Sequence, residues 1–85
     1  MGKTTPIVEY ITGEGPWRYM GSNGRFIISP ATTQYTLNYS ADGKLWTAWP
    51  DETPANESLL VIDAATGMFF KCVGLSSTEK VSVTY

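Results

Sequence analysis

The 85-residue sequence contains no histidine and only one cysteine, Cys72. Without histidine, the chain cannot assemble a Ser-His-Asp or Cys-His catalytic group, and it lacks the side chain that most often acts as general base near neutral pH. One cysteine with scattered carboxylates is also a poor ligand set for zinc. We therefore expect a non-enzymatic protein that carries neither a metal nor another cofactor.

The acidic residues form only one loose group, in and after the proline-containing segment 50–57. Its members are Asp51, Glu52, Glu57 and Asp63. Paired carboxylates can hydrolyse glycosides, and clustered oxygen ligands can hold calcium. The spacing here matches no calcium loop, and acids in such a segment are usually solvated. We predict no site at this position.

Charged residues make up only 16% of the sequence, against roughly 25% in an average domain, and the net charge is −2. The basic residues are scattered along the chain: Lys3, Arg18, Arg25, Lys44, Lys71 and Lys80. A nucleic-acid binder would cluster them in a basic patch, so nucleic acid is not an expected partner. A surface poor in charge and rich in aromatics favours contacts with other proteins.

No apolar run approaches the ~20 residues that span a bilayer, and the N-terminal segment has none of signal-peptide length. A single cysteine cannot form a disulfide within the chain. We therefore expect a protein that is made in a reducing cytoplasm and has no membrane partner. Cys72 follows closely after Phe70 in a β-rich segment, which predicts a small, buried apolar residue rather than a reactive thiol.

The strongest positive signal in the sequence is a β-hairpin over residues 33–49. The Asp42-Gly43 pair separates two β-rich runs, and Asp-Gly between alternating apolar residues is typical of a hairpin turn. Apolar residues recur with period two in the first run and should share its buried face: Tyr35, Leu37 and Tyr39.

The geometry of this turn decides which aromatic residue of the return strand is buried. A two-residue loop at 42–43 places Trp46 inside, whereas a turn at 41–42 followed by a bulge places Leu45 and Trp49 inside. We favour Trp46 inside, because large aromatic residues dominate small cores.

Short β-rich segments separated by turn residues continue on both sides of the hairpin. They predict further strands at 7–12, 17–20, 25–29, 58–63, 68–73 and 79–85. Asn23-Gly24 gives a second hairpin signal. The uninterrupted apolar run 59–62 predicts a strand buried on both faces. Segment 50–57 is long enough to cross from one sheet to another.

Seven or eight short strands without helical periodicity predict an all-β fold, a small antiparallel β-sandwich. An immunoglobulin-like topology is our first choice, and a small jelly roll or barrel is the alternative. Residues 1–6 should form a flexible N-terminal arm, and residues 7–85 a single sandwich domain.

One small core does not readily enclose four of the large aromatic residues, so one or two of them should stand at the surface: Trp17, Tyr19, Trp46 and Trp49. Trp and Tyr often anchor protein interfaces. A flat indole can also stack on a sugar ring, and Trp46 or Trp49 is the candidate for that role. The residues we expect to anchor a protein interface are Ile7, Val8, Tyr10, Trp17 and Trp49.

The central hairpin resembles one that recurs in discoidin-like and fibronectin-like β-sandwiches. The similarity is carried by Tyr35, Tyr39-Ser40, Asp42-Gly43 and Trp46. It covers this hairpin alone and implies a sandwich fold without implying a function.

The chain as a whole is short, begins at Met1 and ends on the strand Val81-x-Val83-x-Tyr85. In these respects it resembles the small β-sandwich virion proteins of tailed bacteriophages, notably head-decoration or cement proteins. The resemblance implies a protein made in the host cytoplasm that binds the capsid exterior and stabilises the shell. Its partners would be the major capsid protein and further copies of itself. A carbohydrate-binding or adhesion module and a tail or baseplate adaptor are the alternatives.

Overall fold

In a computed structural model, which describes residues 6–50 and 59–85, the chain forms eight β-strands, and these residues contain no helix. The predicted all-β class is thereby confirmed. In chain order the strands are β1 (Val8–Thr12), β2 (Trp17–Arg18), β3 (Arg25–Ile28), β4 (Thr36–Ser40), β5 (Thr47–Ala48), β6 (Leu60–Asp63), β7 (Phe69–Val73) and β8 (Lys80–Thr84).

The strands form two antiparallel sheets of four strands each. Sheet I has the order β1-β8-β3-β6, and sheet II has the order β2-β7-β4-β5. The first strand pairs with the eighth, the second with the seventh, the third with the sixth and the fourth with the fifth. This nested pairing is the topology of an eight-stranded jelly roll. It is the pairing that results when one long hairpin folds over into two sheets.

The predicted β-sandwich is therefore confirmed, with the topology that the sequence suggested as the alternative. An immunoglobulin-like sandwich places its first two strands side by side in one sheet, whereas β1 and β2 lie in different sheets here. Likewise β5 and β6 lie in different sheets, and the connection between them covers residues 49–59. Most of that connection, residues 51–58, and arm residues 1–5 lie outside the described residues.

The turn at Asn23-Gly24 is present, but it does not make the second hairpin that we predicted. It connects β2 of sheet II to β3 of sheet I. The Tyr19 hydroxyl holds the turn, because it donates to Asn23 Oδ1 (2.6 Å) and accepts from the backbone N–H of Arg25 (3.2 Å). Since Tyr19 is fully buried between the sheets, the turn is tied to the core.

The core lies between the two sheets and centres on a chain of aromatic rings. Phe70 of sheet II stacks on Trp17 (5.7 Å between centroids) and meets Phe26 of sheet I edge-on (4.8 Å). At one end, Tyr19 meets Tyr85 edge-on (4.8 Å). Each edge-to-face or offset pair contributes about 0.5 to 1.5 kcal/mol beyond the burial of its area.

Side chains of β7 and β8 alternate between the core and the outer faces of the sandwich. Phe70 and Cys72 point into the core and are fully buried, as are Val81 and Val83. Burial raises the pKa of the Cys72 thiol to about 12. Cys72 is therefore the small buried apolar residue that the sequence predicted.

The central hairpin is also present, but its loop is wider than either predicted turn. The last cross-strand pair is Tyr39 with Thr47, and the loop between the end of β4 and the start of β5 runs over residues 41–46. Two side chains hold the loop by accepting backbone N–H groups: Ser40 Oγ from Asp42 (3.2 Å) and Gly43 (2.8 Å), and Asp42 Oδ1 from Lys44 (2.8 Å) and Leu45 (3.0 Å). These bonds replace the backbone pairing that a tight turn would have made.

The wider loop decides the positions of Trp46 and Trp49. Trp49 donates its backbone N–H to Leu37 (2.7 Å), packs against the core and meets Tyr39 edge-on (5.5 Å). Trp46 instead lies on the outer face of sheet II, where the Lys71 ammonium is 4.5 Å from its ring centre. The prediction that Trp46 is inside was therefore wrong.

Candidate protein-binding face

The strands of sheet I alternate between the core and the outer face of the sandwich. In β8, Val81 and Val83 point into the core, so Ser82 and Thr84 point outward. Val8 and Tyr10 of β1 lie directly opposite Thr84 and Ser82, respectively, and share that outer face. No other described element covers it, because the second sheet packs on the opposite side.

One row of paired residues crosses all four strands of this outer face. Val8 lies opposite Thr84, Thr84 opposite Ile27, and Ile27 opposite Val61. Three strand spacings make the row about 14 Å wide. Val8 is 46% exposed and Val61 55%, while Ile27 is half-buried. The row is apolar except for a single threonine hydroxyl.

A second row runs beside the first. Tyr10, at 66% exposure, begins it, and Leu59, at 63% exposure, follows at the far side of the sheet. Between them, Ser29 and Ser82 bond to each other, with the Ser82 N–H donating to Ser29 Oγ (2.8 Å) and the Ser29 N–H to the Ser82 carbonyl (3.0 Å). We call Val8, Tyr10, Ile27, Leu59 and Val61 the apolar face.

Polar residues lie at both ends of the apolar face. Arg25 pairs with Asp63 at one end, and Thr12 pairs with Lys80 at the other. The Lys80 ammonium is 5.7 Å from the centre of the Tyr10 ring. An apolar centre with a polar, charged rim is the usual anatomy of a protein interface.

Three of the predicted interface residues are exposed, and two of them belong to the apolar face. Val8 and Tyr10 point outward from β1. Ile7 is 50% exposed, but it pairs with Tyr85 through both backbone bonds, and the strand alternation turns its side chain to the opposite side of the sheet. The predicted segment is therefore at the surface, with Ile7 adjacent to the face.

The two predicted tryptophan anchors lie elsewhere. Trp17 is only 6% exposed and stacks on Phe70 in the core, so its prediction as a surface anchor was wrong. Trp49 is half-buried, packs on the core beside Tyr39 and lies in the hairpin of sheet II. Neither residue contributes to the apolar face.

The sequence interpretation missed three members of the apolar face. Leu59 and Val61 lie in the run 59–62, which we predicted to be buried on both faces, but only the alternate residue Ile62 is buried and Leu60 half-buried. A run without polar residues gives no signal that one of its faces is outside. Ile27 follows Phe26 in a similar run and gave no signal either.

Three glutamate carboxylates of the described residues accept hydrogen bonds from distant parts of the chain. Glu14 accepts the Gly74 N–H (2.6 Å), Glu9 accepts the Tyr85 hydroxyl, and Glu79 accepts both the N–H and the hydroxyl of Thr32. The bonds from Thr32 hold the pKa of Glu79 below its usual value.

Within ranges 6–50 and 59–85, no three His, Cys, Asp or Glu side chains gather as metal ligands would. Of the acidic group considered in the sequence, Asp63 is exposed beside Arg25, and Asp51, Glu52 and Glu57 lie outside the described residues. The same two ranges contain no helix of the length and apolarity that crossing a membrane requires.

The apolar face thus stands out as the candidate functional site of the described chain. Comparison of the chain with protein-family models, with curated proteins and with solved structures finds no match.

Proposed function

We propose that this chain is a non-enzymatic structural protein that binds the exterior of a tailed-phage capsid through its apolar face and stabilises the shell. The observation that carries the proposal is the apolar face itself, an uncovered row of valine and isoleucine side chains beside an exposed tyrosine. Jelly rolls are frequent among viral structural proteins. The argument from jelly rolls rests on similarity of fold alone.

The size of the apolar face indicates what kind of partner suits it. Fully burying one such side chain contributes about 1.5 to 3 kcal/mol, and these side chains are already about half covered, so each adds about 1 kcal/mol. The five together give about 5 kcal/mol, whereas association costs at least about 4 kcal/mol. A single contact through this face is therefore weak.

A repeated surface makes such a weak contact effective. On a capsid, every copy of the chain finds an equivalent site, and any link between neighbouring copies adds avidity. A chain seated across the junction of two capsid subunits would have to detach before the subunits separate. Shell stabilisation then grows with occupancy rather than with the strength of one contact.

Co-sedimentation with particles of the phage that encodes the chain tests this proposal. We expect the wild-type chain to pellet with the particles and Val61→Lys to remain in the supernatant, because the substitution puts a charge into the row of apolar side chains that crosses the face. Val73→Lys is the matched control, since Val73 is an exposed valine on the outer face of sheet II.

Failure of the wild-type chain to pellet would refute the proposal, and so would equal losses for the two lysine variants. Copy number per particle separates the capsid from a tail or baseplate location. A capsid protein is present in hundreds of copies, whereas a tail adaptor is present in few.

A second candidate function is carbohydrate binding, and the position of Trp46 favours it. Trp46 stands half-buried on the outer face of sheet II, beside the Lys71 ammonium, at the opposite side of the sandwich from the apolar face. A glycan array probed with wild type and Trp46→Ala tests this candidate. Glycan binding that is lost in the variant supports it, and the absence of any glycan signal rejects it.

A further inference from the structure

Strand β1 is the outermost strand of sheet I, and its free edge carries backbone groups without a partner strand among the described residues. Ile7 exchanges both backbone hydrogen bonds with Tyr85 (2.7 and 2.9 Å). In an antiparallel pair, alternate residues bond to the partner strand. Val8, Tyr10 and Thr12 therefore direct their N–H and C=O groups away from β8, toward solvent.

The other edges of the sandwich are less suited to pairing. Strands β2 and β5 have two residues each; Pro16 directly precedes β2, and Pro50 is two residues beyond β5. Short strands near proline resist the addition of another strand. The edge strand β6 adjoins residues 51–58, outside the described ranges. Strand β1 is five residues long and contains neither proline nor lysine. Among the edges that the structure describes, it is the one most open to another strand.

We propose that β1 pairs antiparallel with β1 of a second copy of the chain, around a two-fold axis at Tyr10. In this register Tyr10 lies opposite its own copy and Val8 opposite Thr12, so each outward N–H meets a carbonyl of the partner. A register centred on Glu9 would set two carboxylates opposite each other. One centred on Val8 would place Tyr10 opposite Pro6, which has no N–H.

The occupant of this edge is a second copy because the strand is complementary to itself. Its outward amides and carbonyls match under a two-fold rotation, and its only charge, on Glu9, then faces Ile11 rather than a like charge. A two-fold contact is closed, so it gives a dimer rather than a filament.

Pairing would join two four-stranded sheets into one sheet of eight strands, with the two apolar faces side by side. The contact is one strand wide, well below the roughly 1,600 Å² of a standard interface, so the dimer forms at high concentration. This inference does not depend on the capsid proposal, and it is tested on the purified chain alone.

Sedimentation velocity from about 10 μM to about 1 mM tests the dimer. Wild type should shift toward dimer over this range. Tyr10→Lys and Tyr10→Glu should each weaken association about fivefold, because like charges then lie opposite each other at the axis. Mixing the two variants in equal amounts should restore association, since a lysine now faces a glutamate. Circular dichroism verifies that both variants are folded, as expected at a residue that is 66% exposed.

Val61→Lys is the matched control, because Val61 lies on the same outer face but on strand β6 at the opposite edge of the sheet. It should leave association unchanged. Tyr10→Cys adds a direct test of register, since Cα atoms of a bonded antiparallel pair are about 5.5 Å apart and can form a disulfide. The proposal is overturned by a monomeric wild type at the highest concentration, by a mixture no more associated than its components, by equal loss in Val61→Lys, or by no disulfide dimer in Tyr10→Cys.

Discussion

Replacing Phe70 by alanine should nearly unfold the protein, whereas the same change at the next residue should be mild. Phe70 is fully buried between Trp17 and Phe26, with ring centroids 5.7 and 4.8 Å away. Phe69 lies on the outer face of sheet II, half-buried, with the Arg18 guanidinium 5.0 Å from its ring centre. The two residues are adjacent in β7 but belong to opposite faces of the sheet.

The expected magnitudes follow from these environments. Phe→Ala in a core costs about 3 to 5 kcal/mol, and a domain of this length has about 4 to 13 kcal/mol of stability in total. Phe69→Ala loses a partly covered ring and one cation–π contact, together about 1 to 2 kcal/mol. Phe70→Leu keeps most of the volume and should cost about 1.5 kcal/mol.

Guanidinium unfolding monitored by tryptophan fluorescence measures these differences, because Trp17 lies against Phe70. In decreasing order of stability we expect wild type, Phe69→Ala and Phe70→Ala. Phe70→Leu is included because it should retain a measurable unfolding transition even if Phe70→Ala does not. If Phe69→Ala lost as much stability as Phe70→Ala, the assignment of the two faces of β7 would be refuted.

Three further predictions concern the hairpin loop and the core. Gly43→Ala should lower the free energy of unfolding by about 1 to 2 kcal/mol, because Gly43 has a φ of +78°, which disfavours any side chain. Gly15→Ala is the control, because an added methyl group at Gly15 meets no close contact. Equal unfolding midpoints for the two variants would contradict the loop geometry. The N–H groups of Leu45 and Lys44 hold the pKa of Asp42 below its usual value. The Asp42 carboxylate therefore stabilises the fold at pH values above its pKa in the unfolded chain, about 4. This stabilisation is lost as the pH falls through the pKa of Asp42 in the folded protein. The difference between unfolding midpoints at about pH 7 and about pH 2.5 should therefore shrink in Asp42→Asn, and an unchanged difference would remove Asp42 from the explanation. Cys72, buried and with a raised pKa, should react with a thiol reagent only after unfolding; rapid labelling of the native protein would show that the core is open.

The facing of residues within strands could be predicted from the sequence wherever polar and apolar residues alternate. In β8, Val81 and Val83 are separated by Ser82, and this period-two pattern coincides with the burial of the two valines. In run 59–62 every residue is apolar, so the pattern could not distinguish the buried Ile62 from the exposed Val61. Two of the five residues of the apolar face, Leu59 and Val61, were missed because of this ambiguity.

The pairing of strands could not be predicted in the same way. Nested pairing joins β1 to β8 across almost the whole chain, and no local pattern identifies a partner that far away. The register of the central hairpin depends on side-chain hydrogen bonds as well as on the Asp-Gly pair. Ser40 Oγ and Asp42 Oδ1 accept backbone N–H groups in the loop, and the loop is wider as a result. That widening placed Trp46 outside and Trp49 inside, the reverse of the favoured prediction.

The sequence nevertheless predicted Val8 and Tyr10 as surface residues, and both are exposed. Their segment mixes apolar residues on both faces of a strand near the N-terminus, and such a strand cannot bury both faces in a two-layer sandwich. Trp17 was predicted to lie at the surface because the number of aromatic residues does not show which of them are buried.

Hydroxyl-radical footprinting of the chain on assembled particles tests the apolar face most directly. Four exposed side chains serve as reporters, two on the apolar face and two away from it: Tyr10, Leu59, Leu45 and Met20. We expect binding to protect Tyr10 and Leu59 from oxidation while Leu45 and Met20 react as in the free chain. Protection of Leu45 with continued oxidation of Tyr10 and Leu59 would place the partner on the other side of the sandwich and contradict the account.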